Sequence, residues 1–276
     1  MVRLGEVSFR GKVVHGKEKG RLFGFPTINL EVVQKNAVLP RGVYATKVEL
    51  EGKSLMGVTN IGIRPTADDS DTETVETFLL DYTGDVYDRE ITLTFFCYIR
   101  QTIKFADMYA LKTQIDLDAM YARGIFANGN ASAYISTSTE ETKKIALHLA
   151  MELEKGSIIS LEGDLGAGKS EFARGIARGL GITCTMPSPT FTILNAYEEQ
   201  EPCLYHYDWY RIEDVDELYE MGVEDYLLSD GISIIEWAER AREILPQKHL
   251  QIDIRTIDET TRCITFLPKG GFLLTC

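Results

Sequence analysis

The run Gly163-Asp-Leu-Gly-Ala-Gly168-Lys169-Ser170 satisfies the spacing G-x-x-x-x-G-K-[ST]. Glycines at these positions let consecutive backbone N–H groups curl around phosphate oxygens. Gly166, Ala167 and Gly168 would supply those amides, Lys169 would reach the β- and γ-phosphates, and the Ser170 hydroxyl can hold Mg²⁺. A short apolar strand pattern, SIISLEGD, precedes the loop, and a helical one, EFARGIARGLG, follows it, so the positive end of a helix adds its dipole. The competing reading is a glycine-rich turn that binds nothing. Hydrolysis of a gripped nucleotide needs carboxylates near the metal, usually at the ends of sheet strands. Asp208 closes CLYHYD and Glu236 closes SIIE. Either can hold Mg²⁺ through water or orient the attacking water, against the plain alternative of a solvated strand-end carboxylate. Thr190, in PSPTFT, is a candidate switch that senses the γ-phosphate, and Trp237 reads as packing. A guanine-selecting N-K-x-D run is absent, which favours ATP.

A second candidate lies far upstream, in FGFPTINL. Pro26 favours extended backbone before it, and in a strand Thr27 and Asn29 point to one side. Two neutral oxygens on one face suit a Mg²⁺–phosphate ligand; the alternative is ordinary turn chemistry. The preceding GKVVHGKEKGRLFG sets Gly16, Gly20 and Gly24 among Lys17, Lys19 and Arg21, a basic loop suited to covering phosphates. Further on, Glu76 interrupts an otherwise apolar strand, an uncomfortable place for a carboxylate without work to do; otherwise it is a solvent residue on an edge strand.

These groups need frames to hold them. The segment ANGNASA (Ala127–Ala133) is small, polar and aperiodic and reads as a linker. It divides the chain into a first domain, 1–126, a linker, 127–135, and a second domain, 136–276. In the first, GVYATKVEL and KSLMGVTNI flank a Glu51-Gly52 turn, and Ile91, Leu93, Phe95, Cys97 and Ile99 alternate onto one face. Phe105, Met108, Leu111, Ile115 and Ala119 then recur at helical spacing. Strands with a single closing helix predict a small closed barrel. In the second, helices and buried strands alternate, which predicts an α/β layer with a mainly parallel sheet. Its first helix face carries Ile145, Leu149 and Leu153 behind a Ser138/Glu141 capping box.

The 276 residues, 44 % hydrophobic and 26 % charged, suffice for two ordinary cores. No apolar run approaches a membrane span and the start lacks a signal-peptide core, so no membrane association is expected. Five scattered cysteines without CxxC spacing favour reduced thiols in a cytoplasm. The net charge of −13 is lopsided: 16 Lys+Arg stand against 17 Asp+Glu through Ala127, and 13 against 25 after it. Phosphate-backbone binding needs basic surfaces, so the second half is poorly suited to gripping nucleic acid alone.

Two resemblances follow from these motifs. GDLGAGKS, SPTF, YHYDWYRI, ELYEMGVEDYL and IIEWAER occur in this order between Ser136 and Phe266. Together they resemble the TsaE family, the small P-loop ATPase of bacterial tRNA threonylcarbamoyladenosine synthesis. The resemblance implies an α/β P-loop NTPase that acts on a TsaD–TsaB complex and meets tRNA only indirectly. It places Lys169 on the phosphates and Ser170, Asp208 and Glu236 on Mg²⁺ and hydrolysis; Ser170 stands where threonine is commoner.

GKVVHGKEKGR, FGFPTINL, LPRGVYA, NIGIRPT, VETFLLDYTGDVYDREI and YIR…KF, with the closing helix, resemble the riboflavin kinase family from Ser8 to Arg123. That resemblance implies a six-stranded barrel moving the γ-phosphate of ATP to the ribityl 5′-hydroxyl of riboflavin, giving FMN. Gly16 and Arg21 fall in its nucleotide loop, Thr27 and Asn29 match its metal-binding pair, and Glu76 matches its catalytic glutamate. Asn60 and Arg64 are near candidates for the flavin ring. Bacterial riboflavin kinases usually follow an adenylyltransferase domain; only a short lead-in precedes Ser8, so FAD synthesis is not expected. Two rivals stay open: a barrel that binds flavin as a sensor without turnover, and a second half that phosphorylates a small molecule.

Overall fold

A computed structural model describes residues 1–15, 26–65 and 71–274, with side chains at 64, 65 and 71 outside the description. The chain forms two compact units, Val2–Ala133 and Tyr134–Cys276, the latter with Met1. The first contains β1 (Val2–Leu4), β2 (Ser8–Val14), β3 (Thr27–Lys35), β4 (Gly42–Leu50), β5 (Lys53–Pro65), β6 (Asp71–Leu79), β7 (Glu90–Arg100) and α1 (Met108–Asn128). Strands β2-β3-β6-β5-β4-β7 close into a barrel in that order. Inside it Phe9 meets Phe95 edge-on at 4.7 Å, and Tyr44 meets Phe95 at 5.4 Å. The interior also holds a hydroxyl chain, Thr46–Thr59 at 2.7 Å and Thr59–Thr77 at 2.9 Å. These buried polar groups satisfy one another, which keeps their cost low.

Closure has a consequence for Glu76. Strand β6 lies between β3 and β5, so Glu76 is not on an edge strand.

The closing helix begins at Met108, not at Phe105, because the Asp107 side chain caps it by accepting from the Ala110 N–H at 2.8 Å. Phe105 instead lies 5.6 Å from the Arg100 guanidinium. That guanidinium clamps α1 to the end of β7: Nε donates to Asp118 Oδ1 at 2.9 Å and Nη2 to Oδ2 at 2.7 Å, while Gln114 adds a bond to Oδ1 at 2.9 Å. Asp118 is 2 % exposed. Its replacement strands a half-buried cation, so Asp118→Ala is expected to cost about 3–5 kcal/mol in urea unfolding. A loss under about 1 kcal/mol would mean that the pair behaves like an exposed surface bridge.

The segment read as a linker is mostly structured. Helix α1 runs through Asn128 and ends on Gly129 at φ 72°, a left-handed cap that its lack of a Cβ permits. Strand β8 (Ser132–Ser136) begins three residues later. The second unit continues with α2 (Thr139–Ala150), β9 (Ile158–Glu162), α3 (Lys169–Gly179), β10 (Leu194–Tyr197), β11 (Leu204–Asp208), α4 (Asp216–Glu220), α5 (Val223–Leu227), β12 (Ile232–Glu236), a 3-10 segment at Ala238–Ile244, β13 (His249–Thr256) and β14 (Arg262–Lys269). The order β8-β14-β13-β9-β12-β11-β10 has a parallel centre, β13/β9, β9/β12 and β12/β11, with antiparallel β13/β14 and β10/β11 outside it.

Central strands read as continuous apolar runs because both faces are covered. Ile159, Leu161 and Ile234 pack with Phe172 and Ile176 of α3 on one side, and Ile158, Ile235 and Tyr207 pack with Trp209 and Leu218 on the other. Ser138 does cap α2, accepting from the Glu141 N–H at 3.2 Å, but the Glu141 carboxylate reaches past the capping-box position to the Thr137 N–H at 2.8 Å. Helix α2 stops at Ala150, so Leu153 lies beyond it while still packing on the core. Among the described residues no helix is long and apolar enough to cross a membrane.

Candidate functional sites

Strand β9 feeds the loop at Gly163–Gly168, and the loop opens α3. Gly163 sits at φ 137°, and a Cβ there would meet the Ile254 carbonyl oxygen of β13 at 2.3 Å. Gly168, at φ 107°, would meet nothing within 4 Å, so its glycine serves the backbone turn and leaves open space where a phosphate can approach. Gly163→Ala is therefore expected to destabilise the second unit by about 2 kcal/mol or more through strain and overlap. An unchanged thermal midpoint would show that β13 yields at no cost.

The Lys169 side chain folds back along the loop. Its Nζ donates to the carbonyls of Gly163 at 2.6 Å and Asp164 at 3.0 Å, and lies 3.5 Å from the centre of the Trp237 ring. Lys169 is 4 % exposed. Burial pulls its ammonium below the ordinary lysine value, opposed by the nearby Glu236, Glu239, Asp208 and Asp164 charges. Trp237 stands at φ 60°, a strained setting for a bulky residue, and its ring covers the lysine. It packs against the core, as read from the sequence, and also lies against Lys169, a contact that its place beside Glu236 allows.

Parallel pairing of β11 with β12 sets Asp208 level with Glu236. The Ser170 hydroxyl donates to Glu236 Oε2 at 2.9 Å. Asp208 Oδ2 accepts from the hydroxyls of Ser188 at 3.1 Å and Thr190 at 2.5 Å, and Oδ1 from the Tyr210 N–H at 3.0 Å. Both carboxylates are at most 3 % exposed, so neither is the solvated strand end allowed for above. A cavity of about 380 Å³ gathers Gly166, Gly168, Lys169, Ser170, Thr190, Asp208, Glu236 and Trp237. Ala167 is buried, and its carbonyl accepts from Arg262 Nε at 3.0 Å. Arg262 had no local signal, lying 95 residues from the loop it braces.

In the barrel, antiparallel registers bring a second set together. Asn29 of β3 pairs with Glu76 of β6, which pairs with Asn60 of β5. Directly paired residues project to one face, and this face is the outer one, since the neighbouring Ile28, Thr77 and Thr59 are buried. Thr27 shares the face, as the alternating burial of β3 shows. On one side lies a cavity of about 300 Å³ lined by Arg41, Asn60, Thr74, Glu76 and Thr102 among others; Thr102 donates to Asn60 at 2.9 Å. A second, of about 490 Å³, includes Thr27, Tyr82, and His15 stacked on Tyr87 at 3.8 Å. Gly16 and Arg21 lie outside the described residues, as does the Arg64 side chain.

Among the described residues no three His, Cys, Asp or Glu side chains cluster as a metal cage. Both sites instead offer one or two oxygens that a nucleotide's phosphates would complete, the manner in which Mg²⁺ is ordinarily held. A glycine loop opening a helix beside paired strand-end carboxylates defines a P-loop nucleotide-binding domain, and the row on the closed barrel is a second, separate polar surface.

Comparison with known proteins agrees. The family model "Threonylcarbamoyl adenosine biosynthesis protein TsaE" matches residues 136–264, and the model "Riboflavin kinase" matches residues 4–126. A Bacillus subtilis protein, tRNA threonylcarbamoyladenosine biosynthesis protein TsaE, is 44 % identical over 136 residues, 49 % of this chain and 85 % of the relative. A Pseudomonas fluorescens bifunctional riboflavin kinase/FMN adenylyltransferase is 40 % identical over 117 residues, 42 % of this chain but 37 % of the relative. The crystal structure of Bacillus YdiB aligns at 39 % identity and a TM-score of 0.43, covering 51 % of this chain and 87 % of that one. Through its second half the chain belongs to the TsaE family, and its first half matches the riboflavin kinase model.

Proposed function

We propose that the chain performs two separate ATP-dependent reactions, with 1–126 as a riboflavin kinase and 136–276 as the ATPase of tRNA threonylcarbamoyladenosine formation. The kinase reading is carried by the row Asn29–Glu76–Asn60, of which Glu76 and Asn60 line one cavity while Thr27, on the same face, lines another. ATP occupies the side of Thr27, and the ribityl chain of riboflavin enters on the side of Asn60. The Glu76 carboxylate takes the proton of the 5′-hydroxyl as that oxygen bonds to the γ-phosphorus, the bond to the β-phosphate oxygen breaks, and FMN and ADP result. Thr27 and Asn29 present the oxygens that would hold Mg²⁺, whose charge offsets that of the phosphates.

The ATPase reading is carried by the gathering of Lys169, Ser170, Asp208 and Glu236 in one cavity. The amides of Gly166, Ala167 and Gly168 cradle the phosphates with Lys169. Ser170 and Asp208 would hold Mg²⁺, and Glu236 orients the attacking water. Thr190, bound here to Asp208, exchanges that partner for the γ-phosphate when nucleotide enters. The strong acidity of this half favours work through a TsaD–TsaB-type protein complex over direct grip on tRNA. Among the described residues Cys97, Cys184, Cys203 and Cys263 form no disulfide, which suits the reducing cytoplasm.

The full chain, given riboflavin and Mg-ATP and followed by chromatography, is expected to form FMN, and its ATP hydrolysis is expected to rise on adding a TsaD–TsaB complex. Flavin retained without conversion would overturn the kinase reading in favour of a sensor. Stimulation by a small acceptor alone would overturn the tRNA role.

A further inference from the structure

We propose that His206 is a positioning residue for Glu236, holding its carboxylate in the orientation that hydrolysis needs; this rests on the ATPase reading above. Strand β11 reads LYHYD and is buried throughout, an apolar setting in which a histidine has to be explained. His206 is 1 % exposed, and its Nε2 lies 2.9 Å from Glu236 Oε1. Against a carboxylate acceptor, Nε2 carries the proton and donates. That Nδ1 is buried with no hydrogen-bond partner. A histidine kept for its own stability would have both nitrogens satisfied; this one is committed through a single bond to one carboxylate.

The other Glu236 oxygen, Oε2, accepts from the Ser170 hydroxyl. The two donors differ in what they do next. Ser170 is the hydroxyl that the reading above turns towards a metal, which releases Oε2 into the cavity. His206 is not among the residues lining that cavity and stays behind. Its place is fixed by the sheet: it pairs with Ile234, two residues before Glu236, just as it stands two residues before Asp208. Imidazole and carboxylate thus lie on neighbouring parallel strands, and the bond between them keeps Oε2 pointing at the water it orients. Side chains that orient a reacting or ligating group from behind typically matter by about 10–100-fold.

The test compares two amides in the full chain. Glutamine places its amide nitrogen near the position of Nε2, whereas asparagine reaches only the position of Nδ1. His206→Asn is expected to lower kcat for ATP hydrolysis about 10–100-fold while KM and the affinity for a non-hydrolysable ATP analogue stay within about threefold. His206→Gln is expected to keep kcat within about threefold of the unaltered chain. Adding His206→Asn to Glu236→Gln is expected to cause no further loss, because the group being positioned has already been changed.

Equal losses in the asparagine and glutamine variants would overturn the proposal, as would analogue affinity falling in step with kcat, which marks a general structural role. Unaltered hydrolysis by Glu236→Gln would remove Glu236 from the chemistry and overturn the proposal with it, whereas no hydrolysis by the unaltered chain, alone or with a TsaD–TsaB complex, would overturn the ATPase reading itself. A dead Glu236→Gln beside a fully active His206→Asn would overturn the positioning role alone.

Discussion

Lys169→Ala is expected to lower ATP hydrolysis by about 100-fold or more while riboflavin phosphorylation proceeds at the rate of the unaltered chain. Lys169 is anchored through two loop carbonyls and covered by Trp237, so its ammonium is held close to the phosphate path. Alanine removes the charge that would face the β- and γ-phosphates and leaves the surrounding carboxylates Asp208 and Glu236 without their counter-charge. Like charges then repel an incoming nucleotide, and its affinity falls together with kcat. The measurement is a parallel assay of phosphate release and FMN on the same preparation. Loss of FMN along with hydrolysis would mean that the two reactions are coupled, overturning the reading of separate sites.

Glu76→Gln is the converse experiment. Glutamine keeps the size and hydrogen-bonding reach of the side chain but cannot take a proton. FMN formation is expected to fall by about 100- to 10,000-fold in kcat, the range for loss of a general base, with little change in KM for riboflavin or ATP. ATP hydrolysis through the P-loop is expected to continue unchanged. A variant that still makes FMN at the original rate would remove Glu76 from the chemistry and leave it as a polar residue lining a cavity. Taken together, the two substitutions separate the reactions by the unit each one touches.

Much of the first site was legible because the phosphate loop is local. Eight consecutive residues carry the glycines, the lysine and the hydroxyl, and a strand and a helix flank them in the same stretch. Local chemistry needs no knowledge of distant neighbours, which is why Gly168 and Lys169 could be read directly. Asp208 and Glu236 were legible as carboxylates ending apolar strands. Their partners were not: Thr190 and Ser188 close on Asp208, and His206 and Ser170 close on Glu236. The visible clue to His206 was a lone histidine within an apolar strand, two residues before an aspartate.

The sequence by itself determined which residue types were available and in what local conformation: the glycine turn at the phosphate loop, the alternation that turns Thr27 and Asn29 to one side, and the division of the chain between strand-rich and alternating halves. The tertiary structure alone decided the pairings. Asn29 and Glu76 stand 47 positions apart in the numbering, and they meet because β3 lies beside β6 in one register of a closed barrel. A slip of one residue would turn Glu76 into the barrel interior, where Thr77 now hydrogen-bonds to Thr59. The same holds where β11 and β12 run level and set Asp208 beside Glu236. Register is fixed by the burial of every apolar residue along both strands together, a collective quantity that no single motif carries.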